Sequence, residues 1–152
     1  DDFVSENAIK WAKFADDKLA ILLYPNITRS FGESLQAFSY IKKVDSFNSF
    51  EKYSNLMIGS FAMWMAQGKI KKKYGIKDER ESLQKAISLW TNEIKGRQFL
   101  GQNEPNLGDL CIFGCLRAIE GLDAFDDIMR DNVELDKWYK RVVKVLEYEP
   151  II

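Results

Sequence analysis

Residues 103–129, NEPNLGDLCIFGCLRAIEGLDAFDDIM, decide the fold. Pro105-Asn106 stops whatever precedes it and supplies a side-chain oxygen for a helix start. Asn106 is predicted at the N-cap, and Asp109, three residues on, can reach back to the cap amide or favour the positive helix end. From Leu107 to Ile119 the helix is apolar nearly all the way round, and a helix without a polar face is normally surrounded by other helices. Gly108 and Gly114 each cost about 1 kcal/mol relative to alanine inside a helix. They are predicted to be packing notches where a neighbouring backbone comes close.

Outward from this stretch, 152 residues suit one domain, able to bury roughly 70% of its unfolded surface. An apolar content of 46% supplies a core without metals or disulfides. A formal net charge of −1 argues against a general nucleic-acid binder, which carries a basic excess. Cys111 and Cys115 share a helix face near the upper limit of disulfide geometry. With no histidine and no further cysteine, a zinc site would lack its remaining usual ligands. Buried, reduced packing thiols and a reducing compartment are expected. No run of 18 or more apolar residues is present, so no span is predicted, and no signal segment opens the chain. The sequence begins at Asp1 rather than Met, from which an excised or processed product with further residues upstream is expected.

The spacing predicts helices and no strand. The first runs from about Ser5 to Leu23, with Ala8, Trp11, Ala15 and Leu19 inward, and Tyr24-Pro25-Asn26 is expected to end it. Its adjacent Asp16 and Asp17 point about 100° apart and cannot form a close acid/base pair. A second starts on a capping box, Ser30 to Glu33, and continues toward Val44 with Leu35, Phe38 and Ile41 on one side. A third, long helix covers Ser49 to Lys73. Phe50, Tyr53, Met57, Phe61 and Trp64 form one stripe on it, and Gly59 and Ser60 let another helix approach. Lys69, Lys71, Lys72 and Lys73 crowd its end, either as a solvated, dipole-matched terminus or as an anion-binding rim. Gly75 stops it. A fourth follows the N-cap Asp78 to Gly96. A short turn of helix covers Leu122 to Met129, and a last helix runs from Val133 to Tyr148 with Leu135, Trp138, Val142, Val145 and Leu146 on its apolar side.

The chain carries few of the residue sets that catalysis uses. There is no Ser-His-Asp or Cys-His set, no CxxC pair and no glycine-rich phosphate loop. Asp123, Asp126 and Asp127 are the densest carboxylates. They match no calcium loop, and capping and turn contacts are the preferred account over a divalent metal. Trp11, Tyr24 and Tyr53 are either core residues or the lining of a ligand cleft, and Trp11, Tyr24 and Trp64 could serve a small-molecule carrier.

A bundle of five to six helices around a buried central helix opened by N-x-x-D resembles the C-terminal helical domain of the glutathione transferase superfamily. There the capping box reads S/T-x-x-D; here Asn106 replaces the hydroxyl residue and Asp109 keeps its place. The likeness sharpens in Pro105-Asn106-Leu107, Asp109-Leu110, Leu116-Arg117, the run Glu120 to Asp127, and Trp138-Tyr139 with Arg141. Ala15-Asp16-Asp17, Pro25-Asn26, Arg29, Phe99 and Gly101 add to it. These stretches are similar to the type 2, membrane-associated prostaglandin E synthases. The resemblance implies that residues 1–152 are an all-α domain following a thioredoxin-like domain that carries the CxxC thiol and lies outside this sequence. It implies isomerisation of prostaglandin H2 to E2 by the whole protein, glutathione with haem as cofactors there, and none for this fragment, which would be inactive alone. Implied partners are that N-terminal domain, a second subunit in a homodimer and a small apolar substrate, with a membrane or mitochondrial location set by an upstream segment. The family's basic residues near glutathione, usually arginines, correspond to Lys69 and Lys73. As lysines these lose the bidentate guanidinium fork, and no histidine stands near the first helix's end to favour haem. A non-catalytic scaffold module is the alternative function. Asn106, Asp109, Asp123 and Asp126 are expected to be structural.

Overall fold

The computed structural model describes residues 2–147, apart from the side chains of Asp2 and Ile41. Tyr148, the expected end of the last helix, and the side chain of Ile41 fall outside the described residues. The chain is all-helical, with α1 (Glu6–Phe14), α2 (Ala20–Ile27), α3 (Phe31–Phe38), α4 (Ser49–Tyr74), α5 (Glu79–Glu93), α6 (Leu107–Arg117), α7 (Asp123–Asp131) and α8 (Val133–Val145). A π-turn, Ala15–Leu19, joins α1 to α2 in one rod, so the described residues form seven helical rods where five to six were expected. Among the described residues there is no strand, only an isolated bridge between Phe99 and Gln102.

The rod formed by α1 and α2 does not stop at Tyr24. Pro25 sits inside it, and the helix runs to Ile27. Proline removes a backbone donor, and side chains take over nearby acceptors. The Asn26 amide donates to the Leu22 carbonyl at 2.7 Å and to the Glu79 carbonyl at 2.9 Å, and the Thr28 hydroxyl donates to the Tyr24 carbonyl at 2.8 Å. Asn26 therefore also ties the end of α2 to the start of α5. The box expected at Ser30 is half formed. The Ser30 hydroxyl accepts from the Glu33 amide at 3.1 Å, but the Glu33 carboxylate turns to the backbone and guanidinium of Arg29. A complete capping box instead opens α4, between Asn48 and Glu51, and Gly75 closes that helix in the left-handed region.

The core is a layered contact of α1, α5, α6 and α8. Trp11, Trp90 and Trp138 stack edge to face, with centroids 5.1 Å apart at each step. Asp109 sits beneath them, fully buried. Its carboxylate accepts from the amides of Leu100, Gly101 and Asn106 and from the Trp138 indole at 2.9–3.2 Å. Asn106 caps α6 by accepting from the amides of Gly108 and Asp109. At the close crossing of α1 on α6, a Cβ on Gly108 would lie 2.6 Å from Leu100, 3.0 Å from Trp11 and 3.2 Å from the Ala8 carbonyl oxygen. That glycine is a notch. Gly114 is not: a Cβ there meets nothing within 4 Å.

Two expectations about buried faces are corrected. On α4 only Leu56 and Ser60 are buried, while the aromatic stripe faces outward. On α8, Val145 and Leu146 are exposed, because the helix rolls its last turn off the core that holds Leu135, Trp138 and Val142.

Replacing Asn106 with alanine should cost about 1 kcal/mol, within the usual N-cap range. Asp109→Ala should cost about 3 kcal/mol or more, because each buried donor left unpaired costs ~1–3 kcal/mol. Urea denaturation midpoints check both, and equal midpoints would refute the hub role of Asp109. The two glycines of α6 should respond with opposite signs. Gly114→Ala gains up to about 1 kcal/mol of helix propensity, whereas Gly108→Ala loses about 1–3 kcal/mol to overpacking.

Candidate functional site

Because Asp109, Ile112, Phe113 and Leu116 occupy the buried side of α6, its other side is left to Cys111, Gly114, Cys115 and Ala118. The expectation of a central helix covered all round is thus corrected: Gly114 and Ala118 are exposed. The small residues cannot fill the space between α6 and the rod beside it, which is the physical origin of an open apolar groove. It holds about 500 Å³ and is lined across from α6 by Asp16, Ala20, Leu23, Tyr24 and Ile27. Its walls are almost wholly apolar, with Asp16 at one end and the Tyr24 phenol at the other.

The π-turn decides which residues of the rod reach this groove. The inserted residue rotates the following turn, and such bulges recur at functional sites. Asp16 lines the groove, while its neighbours Asp17 and Lys18 line a second hollow of about 340 Å³ against Tyr74, Ile76 and Ala86. The two aspartates thus open onto different cavities.

The two thiols and the phenol of the groove are held in their neutral forms. Burial, and then the negative charge of Asp16, push the Cys115 thiol up to about 11, and the same two causes raise Cys111. The Cys115 thiol donates to the Ala15 carbonyl at 3.7 Å, a carbonyl in the π-turn. A protonated thiol is a poor nucleophile, so these cysteines are passive lining. Both are free. Burial also raises the Tyr24 phenol, whose hydroxyl donates to the Met63 carbonyl of α4 at 3.1 Å. Tyr24 and the π-turn were not singled out as a pair by the sequence, and a π-turn leaves no sequence signal at this length.

The remaining residues fall elsewhere. Lys69 and Lys73 are exposed on the last turns of α4; Lys73 lies 5.2 Å from the Tyr74 ring, and neither lysine lines the groove or the second hollow. Lys71 is bound to Glu79 at 2.7 Å, which closes the α4–α5 turn. Asp123 exchanges hydrogen bonds with Gln36 at 3.0 and 3.1 Å, joining α7 to α3. Asp126 is exposed on the first turn of α7, and Asp127 bridges Arg80 and Arg130. Among the described residues no group of three or more His, Cys, Asp or Glu could hold a metal, and no helix is long and apolar enough to cross a membrane. Trp11 belongs to the tryptophan stack, about 20 Å along the rod from Tyr24 at 1.5 Å per residue, so the proposed carrier trio is not one cleft.

No family model matches the chain. Prostaglandin E synthase 2 of Danio rerio is 42% identical over 142 residues, covering 92% of this chain and 37% of that protein. Prostaglandin E synthase 2 of Mus musculus is 36% identical over 146 residues, covering 95% and 38%. The chain spans a little over a third of the length of these curated relatives. The chain is a homologue of prostaglandin E synthase 2 over the C-terminal part of those proteins.

Proposed function

We propose that the open groove beside α6 is one wall of a substrate cleft, completed in the parent protein by a thioredoxin-like domain that precedes this chain. The single observation that carries the reading is the exposed small-residue face of α6, Gly114 with Ala118, opening onto an apolar space of about 500 Å³. A surface of that chemistry takes an apolar, lipid-derived substrate, or the apolar flank of a neighbouring domain that helps to hold one. The relatives are named as prostaglandin E synthases, in keeping with the prostaglandin H2 isomerisation that the resemblance implies, and the raised thiols suggest the division of labour. With Cys111 and Cys115 protonated at neutral pH, the reactive thiol comes from the preceding domain, together with glutathione. Lys69 and Lys73 are then peripheral cations for the glutathione carboxylates, a weaker hold than arginines give.

A second reading, a non-catalytic interaction module, is favoured by the exposed stripe of α4. Turnover separates them. The 152-residue chain alone should convert prostaglandin H2 no faster than buffer, while the same chain joined to its upstream domain should do so. If the joined protein is inert, the catalytic reading fails.

In that joined protein Gly114→Leu should raise the KM for prostaglandin H2 by about tenfold, at ~1–3 kcal/mol for a blocked pocket, with the melting temperature unchanged or higher. An unchanged KM would show that substrate does not use the groove. Cys111→Ser and Cys115→Ala should leave kcat within about twofold. Alkylation of Cys115 by iodoacetamide should stay slow at pH 7 to 8 and climb only as the pH approaches 11. Because the thiol is raised in the folded protein, its contribution to stability is present below the unfolded value and is lost as pH rises toward 11.

A further inference from the structure

Between the end of α5 and the side of α8 lies a hollow whose chemistry is the opposite of the groove's. It holds about 460 Å³, and Thr91, Asn92, Lys95, Arg97, Glu134 and Arg141 wall it. None of these residues lines the groove beside α6. Three of the six are cations and one is a carboxylate, in a chain whose formal net charge is −1. Gly96 takes φ 78°, the left-handed turn that glycine allows, and the cations on either side of it both reach the wall.

The two guanidiniums are held by one edge each. Arg97 donates through Nη2 to the Glu93 carboxylate at 3.0 Å and to the Glu93 carbonyl, and the Asn7 amide steadies the same carboxylate at 3.1 Å. Arg141 donates through Nε to the Gln98 carbonyl at 3.1 Å. A guanidinium carries five donors in a fixed fork, so each arginine is anchored with donors to spare. Among the described residues no carboxylate forms an ion pair with Lys95 or Arg141, and Glu134 is bound instead to Lys137 at 2.8 Å. Cations gather at helix C-termini to match the dipole, which accounts for Lys95 and Arg97 at the end of α5. It does not account for Arg141, brought to the same wall from α8.

We propose that this hollow binds a small, multiply charged oxyanion, an organic phosphate or a polycarboxylate. The free donors of Arg97 and Arg141 grip its oxygens, and Lys95 supplies the third positive charge. Planar forks hold phosphate and carboxylate groups two oxygens at a time, and anchoring one edge in advance lowers the ordering cost. The volume lies within the ~300–1,000 Å³ of small-molecule sites, so the ligand is larger than a bare ion. A nucleic-acid backbone is disfavoured, since it needs a track of cations and the chain has no basic excess. The site uses neither the α6 groove nor a preceding domain, and it stands or falls apart from the proposed cleft.

Isothermal titration calorimetry of the 152-residue chain with pyrophosphate, and separately with citrate, tests it. One saturable site is expected, weakening as salt is raised. Tighter binding of either probe supports the proposal and assigns the ligand to phosphates or to carboxylates. Arg141→Gln should weaken binding about tenfold and Lys95→Gln about threefold or more. Glu134→Gln should tighten it about twofold to fivefold. Lys72→Ala, which removes an exposed cation at the end of α4, should leave binding unchanged. Lys95 is exposed on a turn, so its variant should keep the parental melting temperature, and its weaker binding is then not a loss of fold. Absence of saturable heat with both probes overturns the proposal, and so does binding that survives both Arg141→Gln and Lys95→Gln. Binding that falls with Lys72→Ala instead would mark an adventitious ion only and overturns it as well.

Discussion

The carboxylate of Asp109 is the constraint on which the arrangement depends. A charge with no solvent exposure is costly unless donors surround it, and here three backbone amides and one indole do so. Those donors come from the loop before α6, from the cap of α6 and from α8. One side chain thereby fixes where the incoming loop turns, the angle at which α6 enters the core and the depth at which α8 sits. Trp138 carries the constraint on to Trp90 and Trp11 through ring contacts, so α1 and α5 are indexed to the same point.

Fixing α6 in this way also fixes which of its faces is left open. With Gly108 pressed against α1 and Ile112, Phe113 and Leu116 turned to the core, the helix has no freedom to roll. Cys111, Gly114, Cys115 and Ala118 must then face the gap beside the rod, and their small volumes leave the gap empty. The groove is a consequence of the same geometry that stabilises the fold. The passivity of its thiols has the same origin, since burial and the Asp16 charge both disfavour a thiolate.

Sequence patterning gives much of this where the signal is local. The α4 and α5 boundaries, the cap at Asn106 and the inward set Leu83, Ala86, Ile87 and Trp90 follow from capping chemistry and helical period, which depend on neighbours a few residues away. The same logic fails where the outcome is set by distant parts. Pro25 has the pattern of a stop, but the Asn26 and Thr28 side chains add bonds to carbonyls around it, and one of Asn26's acceptors lies on α5. Gly108 and Gly114 are indistinguishable by type, yet only one meets another helix. The α4 stripe has the spacing of a core face, and period cannot tell whether the covering surface belongs to the same chain. The groove was out of reach because it is made by the absence of side-chain volume between two segments about 90 residues apart.

Tyr24 joins the two apolar exposures. Its ring lines the groove against α6, and its hydroxyl is held by the Met63 carbonyl of α4. Burial keeps that phenol protonated, and therefore a donor, across the physiological range. A shift of α4 along its axis would have to break this bond or pull the ring with it, so the groove's width and the position of the long helix are not independent. Occupation of the outer face of α4 would clamp that helix, and through Tyr24 it would hold the groove at one width.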